Sequence, residues 1–444
     1  MEKSISIGLD IGTTTISAVV LDTFSGSLLA RRTVKSEADL SAADPREKIQ
    51  DAALIEKKTV ALLEALLLQF PKTGSIGITG QMHGVVYLDG QGNLCSPLYT
   101  WQDQQAAPYC EELKKRTGHT VAPGYGLATH YALQQNGRIP AGAAKLCTIM
   151  DYLAFALTGN LKLHCTNAAG LGFYSGDGFD KTALQSLGID TKILPEVTEN
   201  GVILGKYRGI PVAVAIGDNQ ASFLGSVSMP GTMALANFGT GSQISLMTKN
   251  ISGLSGDGEV ELRPYVGGAW LASGSALCGG RAYALLERFF RSFACAAGMD
   301  DREGYDVLNQ LAWEGLGQDD LPAVNTTFCG TRAQPQQRGS IQNLTEENFT
   351  PAAVTAGLLL GMARELKGMF DRMPAQNVTA LVASGNGVRR NTALVQALER
   401  VFGLKIKIPV HQEEAAFGAA LFAAAEAENR PLEDLQRRCI HYNT

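Results

Sequence analysis

Two short runs constrain this chain more than any other feature, because they repeat one pattern in two distant places. The first run is Ile7–Thr15, IGLDIGTTT, and the second is Asn237–Ser245, NFGTGSQIS. In each, an apolar strand-like approach leads into a Gly-Thr turn with a β-branched or apolar exit. Such a turn presents backbone N–H groups and hydroxyls to a phosphate. Two of them at equivalent places in two half-chains predict a duplicated fold that clamps a nucleotide.

The bulk properties exclude several classes of protein. With 444 residues the chain is expected to form two or three domains, and its net charge of −5 argues against a nucleic-acid partner. No run of 18 uncharged apolar residues predicts a membrane span. The eight cysteines form no Cys-x-x-Cys pair, which favours thiols in a reducing cytoplasm over a zinc site. No basic and apolar leader precedes the first strand, so we expect a cytoplasmic protein without a signal peptide.

The first half of the chain predicts three consecutive strands, then a helix, then a strand. The strands are expected over 4–9, 15–22 and 27–34, and a further strand over 75–79. The helix is expected to run from Asp44 to Leu68, with Asp44 as N-cap, Pro45 as the first helical residue and Glu47 as the capping-box acid. This β-β-β-α-β order is the unit of the ribonuclease H-like fold.

The second half repeats this logic. Strands are predicted over 233–238, 243–247 and 378–383, and helices from Thr350-Pro351, from Asn391 and from about Glu413. The run Ser228–Gly231 interrupts any regular element. We therefore predict an α/β protein of two ribonuclease H-like domains, 1–225 and 226–444, with an active-site cleft between them.

Two aspartates lie where strands are predicted to end. Asp10 precedes the first Gly-Thr turn and could hold a Mg²⁺ that bridges phosphates, or could cap its own turn. Asp218 follows the strongly β run Pro211–Ile216. An aspartate there could accept the proton of a hydroxyl that attacks a γ-phosphate. The alternative for Asp218 is an N-cap at the start of a helix.

Other polar residues suit a polyol and a nucleotide. Polar side chains beside an indole can contact the C–H faces and hydroxyls of a sugar, in the runs Gly80–Gly84 and Thr100–Asp103. A structural histidine and a core tryptophan are the alternatives there. The glycine-rich run Ser384–Asn391 would let a base or ribose approach the backbone. The chain lacks the G-x-x-x-x-G-K-[ST], G-x-G-x-x-G and H-E-x-x-H patterns, which argues against a P-loop kinase, a dinucleotide dehydrogenase and a zincin.

Taken together, these runs resemble the FGGY carbohydrate kinases, of the actin/hexokinase-type ATPase superfamily. Seven runs occur in the family's order: 10–14, 80–84, 100–103, 217–220, 239–242, 385–391 and 414–420. Two further stretches, Thr166–Tyr174 and Val121–Leu133, resemble the sedoheptulokinase branch most. Gln81-Met82-His83 resembles ketose kinases generally, whereas glycerol kinases carry an Arg-Gly-Glu type of run there.

The resemblance implies phosphoryl transfer from MgATP to a primary hydroxyl of a ketose, with sedoheptulose as the expected sugar. It implies that Asp218 is the catalytic base and that Asp10 and Asp218 form the Mg²⁺ site. The sugar-binding residues it implies are Gln81, Met82, His83, Trp101, Asp103, Asp218 and Asn219. The ATP-binding residues it implies are Thr13, Thr14, Gly239, Thr240, Gly241, Gly385, Asn386 and Asn391.

The chain departs from its relatives at two places, and two alternatives stay open. Ser17 stands where many relatives carry Lys or Arg, and Gln104-Gln105 stands where some place Arg. The first alternative is xylulokinase or another pentulose kinase. The second is an actin- or chaperone-like, ATP-driven binding protein. The partner expected is a small sugar, without nucleic acid or membrane, and a homodimer is left open.

Overall fold

The computed structural model describes residues 4–251, 258–331, 334–374 and 377–443. By their internal packing these residues divide into two compact units. Unit 1 holds residues 4–228, 264–269 and 411–440, and unit 2 holds the described residues of 229–263, 270–410 and 441–443. The predicted division at residue 225 follows chain order, whereas the packing assigns residues 411–440 to unit 1.

The strands of the described residues are numbered along the chain. Before residue 229 they are β1 (Ile5–Ile11), β2 (Thr15–Asp22), β3 (Ser27–Lys35), β4 (Asp39–Leu40), β5 (Ile49–Gln50), β6 (Thr73–Gly80), β7 (Val86–Leu88), β8 (Leu98–Tyr99), β9 (Lys145–Cys147), β10 (Lys162–His164), β11 (Glu196–Thr198), β12 (Ile203–Tyr207) and β13 (Ile210–Ala213). After it they are β14 (Met233–Phe238), β15 (Ser242–Thr248), β16 (Val260–Pro264), β17 (Trp270–Ala276), β18 (Ala323–Asn325), β19 (Ser340–Gln342), β20 (Ala380–Ser384), β21 (Lys405–Pro409) and β22 (Tyr442–Asn443).

The helices are numbered in the same way. They are α1 (Ala52–Gln69), α2 (Cys110–Thr117), α3 (Gly126–Gln135), α4 (Ile149–Thr158), α5 (Cys165–Leu171), α6 (Lys181–Ser186), α7 (Asp218–Ser226), α8 (Gly279–Ala296), α9 (Tyr305–Leu316), α10 (Pro351–Phe370), α11 (Asn386–Arg390), α12 (Thr392–Phe402), α13 (Glu414–Glu428) and α14 (Leu432–Cys439). Single 3₁₀ turns lie at Ala107–Tyr109, Thr191–Ile193 and Val266–Gly268. None of the helices described is long and apolar enough to cross a membrane.

Both units are built on a sheet with the same central order. In unit 1 the order is β12-β13-β6-β1-β2-β3, with β1 antiparallel to β2 and parallel to β6. In unit 2 the order is β16-β17-β15-β14-β20-β21-β22, with β14 antiparallel to β15 and parallel to β20. At the centre of each sheet, the first strand of an antiparallel hairpin also pairs with a later, parallel strand. The predicted duplicated α/β fold is confirmed.

Helix α13 lies at the centre of unit 1 because small residues let it approach the sheet and α7 closely. A Cβ added at Gly8 of β1 would overlap the carbonyl of Ala416, and one at Gly77 of β6 would overlap that of Ala419. Its Gly418 lies against the backbone of Ala221 in α7. Helix α13 is therefore in backbone contact with both the sheet and the helix that begins at Asp218.

One predicted element begins in the wrong place. The first long helix starts at Ala52 with Asp51 as N-cap, whose carboxylate accepts a hydrogen bond from Leu54 N, and not at Asp44. By contrast, Thr350 caps α10 through Ala353 N with Pro351 as its first residue, as predicted. The predicted strands over 233–238 and 15–22 also have the expected bounds.

Candidate active site

The first Gly-Thr turn follows directly on β1 and is held by side chains. The carbonyl of Thr13 accepts a hydrogen bond of 2.9 Å from Gln50 Nε2, and Gln50 Oε1 accepts one of 3.0 Å from Gln81 Nε2. The Thr13 hydroxyl donates to Gln81 Oε1 at 3.4 Å and accepts from Trp101 Nε1 at 3.0 Å. Gln81 and Trp101, both predicted to bind sugar, thus contact the turn predicted to bind phosphate. Gln50 was missed, because nothing local in the sequence marks it.

A group of acidic residues lies beside this turn. Asp10 is the second-last residue of β1, and burial together with the negative charges of Asp218 and Glu413 raises its pKa to about 7. Two carboxylates that raise the pKa of a third must lie near it. Within the described residues no three His, Cys, Asp or Glu side chains converge closely enough to hold a metal by themselves. A cation that binds here would need oxygen ligands from a substrate as well.

The backbone at Asp218 is fixed from several sides. The hydroxyl of Thr79 donates to Ile216 O at 2.7 Å, and Gly217 N donates to Thr166 Oγ1 at 3.1 Å. Asn167 Nδ2 donates to the carbonyl of Ala215 at 3.2 Å. Three residues from two elements, one in β6 and two in α5, therefore fix the corner that precedes α7.

Asp218 is the first residue of α7, and Gly217 is the N-cap, so the N-cap alternative for Asp218 is wrong. Its Oδ1 accepts from Asn219 N at 2.7 Å and from Asn219 Nδ2 at 3.2 Å. The same Nδ2 lies 3.8 Å from Met82 Sδ. The structure thus brings together Asp218, Asn219 and Met82, as the sequence predicted for one site.

His83 forms a half-buried platform with a residue that the sequence did not assign to the site. Its ring stacks on Tyr125 with a centroid separation of 4.5 Å and an interplanar angle of 2°. His83 Nδ1 donates to the carbonyl of Gly170 at 2.8 Å, which leaves Nε2 as the acceptor in the neutral ring. The backbone of His83 has a φ of 75°, a conformation that costs energy for a non-glycine residue and is frequent at functional sites.

The loop that follows β8 divides into an exposed and a buried part. Trp101 is exposed, so its core alternative is wrong. Asp103 is fully buried, and its carboxylate accepts hydrogen bonds from Lys48 N, Gln105 N and Gln105 Nε2 at 2.9–3.0 Å. Gln105 in turn accepts from Arg138 Nη1 at 2.8 Å. This arrangement makes Asp103 a residue that holds the loop, and it gives no exposed carboxylate to a sugar.

The second Gly-Thr turn, in unit 2, is held by backbone groups. Gly280 N donates to Gly239 O and Arg281 N donates to Thr240 O, each at 3.0 Å. Gly239 N donates to Gly241 O at 3.0 Å. Amides of the first turn of α8 therefore donate hydrogen bonds to the carbonyls of this Gly-Thr turn. Gly239 and Thr240 are themselves exposed.

The third run predicted to bind ATP lies at the end of the neighbouring strand. Gly385 follows β20 with a φ of 91°, and Asn386 begins the short helix α11. Asn391 is buried and caps α12 through Leu394 N at 3.2 Å. Gly385 and the exposed Asn386 thus lie next to the second turn. The Asn391 side chain is buried and caps a helix.

Comparisons with known proteins cover nearly the whole chain. The model of the FGGY family of carbohydrate kinases, N-terminal domain, matches residues 5–225, and that of the C-terminal domain matches residues 234–427. The sedoheptulokinase of Mus musculus is 26% identical over 94% of this chain and 97% of its own length. The xylulose kinase of Streptomyces rubiginosus is 26% identical over 95% of this chain and 88% of its own length. The crystal structure of Plasmodium falciparum glycerol kinase with ADP matches with a TM-score of 0.83 at 19% identity, covering 99% of this chain and 93% of that one.

Proposed function

Because this chain belongs to the FGGY family of carbohydrate kinases, we propose that it phosphorylates sedoheptulose to sedoheptulose 7-phosphate at the expense of ATP. The coarser statement, that the chain is a carbohydrate kinase, follows from the family itself and leaves the binding-protein alternative without support. The identity of the sugar and the roles of the individual residues are the proposal.

The observation that carries the choice of sugar is the platform at His83. The two stretches that resemble sedoheptulokinases meet there, since Tyr125 comes from one and Gly170 from the other. Flat aromatic rings suit the C–H face of a polyol. The match to 97% of a sedoheptulokinase, against 88% of a xylulose kinase, agrees with this choice.

Asp218 is proposed as the general base. Its backbone is fixed by Thr79, Thr166 and Asn167, which keeps the carboxylate in place while the sugar hydroxyl approaches. The base takes the hydroxyl proton as the oxygen attacks the γ-phosphate, and the reaction depends mostly on alignment and charge neutralisation. Met82 and Asn219 line the same corner.

The donor set fits Mg²⁺. A hard cation prefers carboxylate oxygens together with phosphate and water oxygens, and Asp10 is a carboxylate near those of Asp218 and Glu413. Asp10 and Asp218 would hold the metal, which when bound neutralises phosphate charge. In unit 2, Gly239, Thr240 and Gly241 are proposed to bind the ATP phosphates, with Gly385 and Asn386 near the adenosine. In unit 1, Thr13 and Thr14 are proposed to bind phosphate oxygens of ATP.

The test is a comparison of kcat/KM for sedoheptulose, xylulose, ribulose, erythrulose and glycerol at saturating MgATP. A pocket for a seven-carbon sugar leaves polar groups unpaired when a shorter sugar binds, and each such group costs about 1–3 kcal/mol. Sedoheptulose should therefore exceed xylulose by at least about 10-fold, and glycerol should be nearly inert. His83→Asn, which tolerates the positive φ, should raise KM for the sugar and leave KM for ATP nearly unchanged. If xylulose or ribulose equals or exceeds sedoheptulose, the proposal of sedoheptulose fails and only the broader proposal of a ketose kinase remains.

A further inference from the structure

Two cysteines outside the proposed reaction lie side by side in unit 2. Cys278 is the buried residue immediately before α8, and Cys329 lies in a half-buried turn after β18. Their sulfur atoms are 3.6 Å apart, although 51 residues separate them in the chain. The remaining cysteines are also free thiols, so this pair differs from them by its geometry.

The two thiols have different environments. Arg281 Nη1 lies 3.5 Å from Cys329 Sγ, and this hydrogen bond and positive charge lower the pKa of the Cys329 thiol. Burial raises the pKa of Cys278 to about 12. A partly accessible thiol of lowered pKa beside a protected one is the arrangement of an attacking and a resolving cysteine.

The pair is connected to the second Gly-Thr turn through the start of α8. Cys278 directly precedes this helix, and Gly280 N and Arg281 N hold the carbonyls of Gly239 and Thr240. The space beside Gly279 is filled by the backbone of Gly241, so a displacement of the helix start moves the turn.

We propose that Cys278 and Cys329 are a redox modification site, at which a reversible disulfide displaces the start of α8 and weakens nucleotide binding. The oxidant is a peroxide. The sulfur of Cys329 attacks one peroxide oxygen, the O–O bond breaks, and a sulfenic acid and water form from the thiol and hydrogen peroxide. The sulfur of Cys278 then attacks the sulfenic sulfur, and its thiol proton leaves with the hydroxyl as a second water. Two thiols are oxidised to one disulfide, and one peroxide is reduced to two waters.

The effect on the nucleotide follows from the distance that the sulfurs must travel. They have to close from 3.6 Å to about 2.05 Å. A displacement of this size at the helix that holds the turn affects alignment, and a misplacement of about 1 Å can cost on the order of 100-fold in rate. This consequence rests on the proposed role of Gly239–Gly241 in binding ATP, whereas the disulfide itself does not.

The experiment treats the reduced full-length protein with hydrogen peroxide and follows the intact mass, the disulfide map and binding of ADP. We expect loss of two hydrogen atoms, a peptide linking Cys278 to Cys329, and a roughly tenfold weaker affinity for ADP that a thiol reductant restores. Cys329→Ser and Cys278→Ser should each bind ADP equally before and after peroxide. Cys295→Ser, a matched change in the same helix, should keep the full response.

Each outcome decides the matter. A disulfide map without this link, or ADP affinity that the link leaves unchanged, overturns the inference. A reduced protein that binds no ADP overturns it as well. A protein that phosphorylates no sugar, yet forms the link and then binds ADP more weakly, sustains the inference while the proposed function fails.

Discussion

The two Gly-Thr turns occupy equivalent places in the two units, but they are surrounded by different chemistry. Asp10 and Asn237 are each the second-last residue of the strand before the turn. On the neighbouring parallel strands, Asp10 lies in register with Thr79 and Asn237 with Ser384. A carboxylate thus stands in unit 1 where an amide stands in unit 2.

The backbone around the two turns is more similar between the units than the side chains are. A Cβ added at Gly80 would lie 2.5 Å from the carbonyl oxygen of Ile11, and one at Gly385 would lie 2.5 Å from that of Phe238. Each glycine therefore lets a parallel strand end against the residue before a turn. The duplicated frame keeps this close approach, although an aspartate before the first turn is replaced by an asparagine before the second.

The means of holding the turns also differ. Gln50, a side chain, holds the Thr13 carbonyl in unit 1, whereas the first amides of α8 hold the carbonyls of unit 2. Burial, together with the carboxylates of Asp218 and Glu413, raises the pKa of Asp10, whereas its counterpart Asn237 is an uncharged amide. The comparison teaches that a common frame positions a turn, while the residues around it decide whether it suits a metal and a proton or an uncharged contact to phosphate.

The largest effect is expected when the carboxylate of the proposed base in unit 1 is replaced by an amide. Asp218→Asn keeps the shape but cannot accept a proton, and kcat should fall by about 10²–10⁴-fold while ADP still binds. Steady-state kinetics and calorimetry measure the two quantities. Asp190→Asn, which changes an exposed aspartate, is the control, and its kcat and ADP affinity should be nearly those of the unsubstituted protein. Turnover near that of the control would remove Asp218 from the mechanism.

A smaller loss is expected when unit 1 is given the amide of unit 2. Asp10→Asn removes the proposed metal carboxylate, so kcat/KM should fall by roughly 10²-fold and the Mg²⁺ concentration needed for half-maximal rate should rise. Titration of the rate with Mg²⁺ measures the change. Asp22→Asn, at the other end of the same hairpin, is the control. An unaltered Mg²⁺ titration would show that the difference between Asp10 and Asn237 has no bearing on metal binding.

The smallest effect concerns stability and pH. Because the pKa of Asp10 rises from 3.8 to about 7 on folding, the folded state binds more protons between these values. Its stability should therefore fall as pH rises through that window and stay at the lower level above it. Chemical unfolding of the protein against Asp10→Asn measures this difference, and Mg²⁺ should reduce it.

Asp151 offers a matched control for that measurement. Burial raises its pKa to about 7 as well, but it lies in α4, hydrogen-bonded to Thr148 and Asn167. The difference between the protein and Asp151→Asn should show the same slope with pH and no response to Mg²⁺. An equal response to Mg²⁺ at both positions would contradict the assignment of the metal to Asp10.

The sequence predicted the strands and the duplicated order well, because apolar periodicity and turns are local signals. It misplaced the start of α1, since Asp44, Pro45 and Glu47 form a convincing local cap. In the structure the Asp44 carboxylate pairs with Arg46, and Glu47 pairs with Arg138. The residues that follow are extended as β5, whose Gln50 reaches the first turn. Tertiary contacts overrode a local preference.

The candidate site was predictable in its residues but not in their connections. Sequence motifs predicted Asp10, Asp218 and His83 as site residues. Tyr125 belongs to a run noted only for its resemblance, and nothing in its neighbours shows that its ring would stack on His83. Contacts between residues far apart in the chain leave no local pattern.

The position of α13 has a consequence for how the protein is made. Unit 1 has its central helix encoded after residues 229–410, so the ribosome releases the sheet of unit 1 long before the helix that covers Gly8 and Gly77. At about 5–20 residues per second, synthesis of the intervening segment takes roughly 10–40 s. During that time α13 is not yet available to cover this face of the sheet. Unit 1 is therefore not expected to complete its folding until residues 411–440, near the end of the chain, have been made.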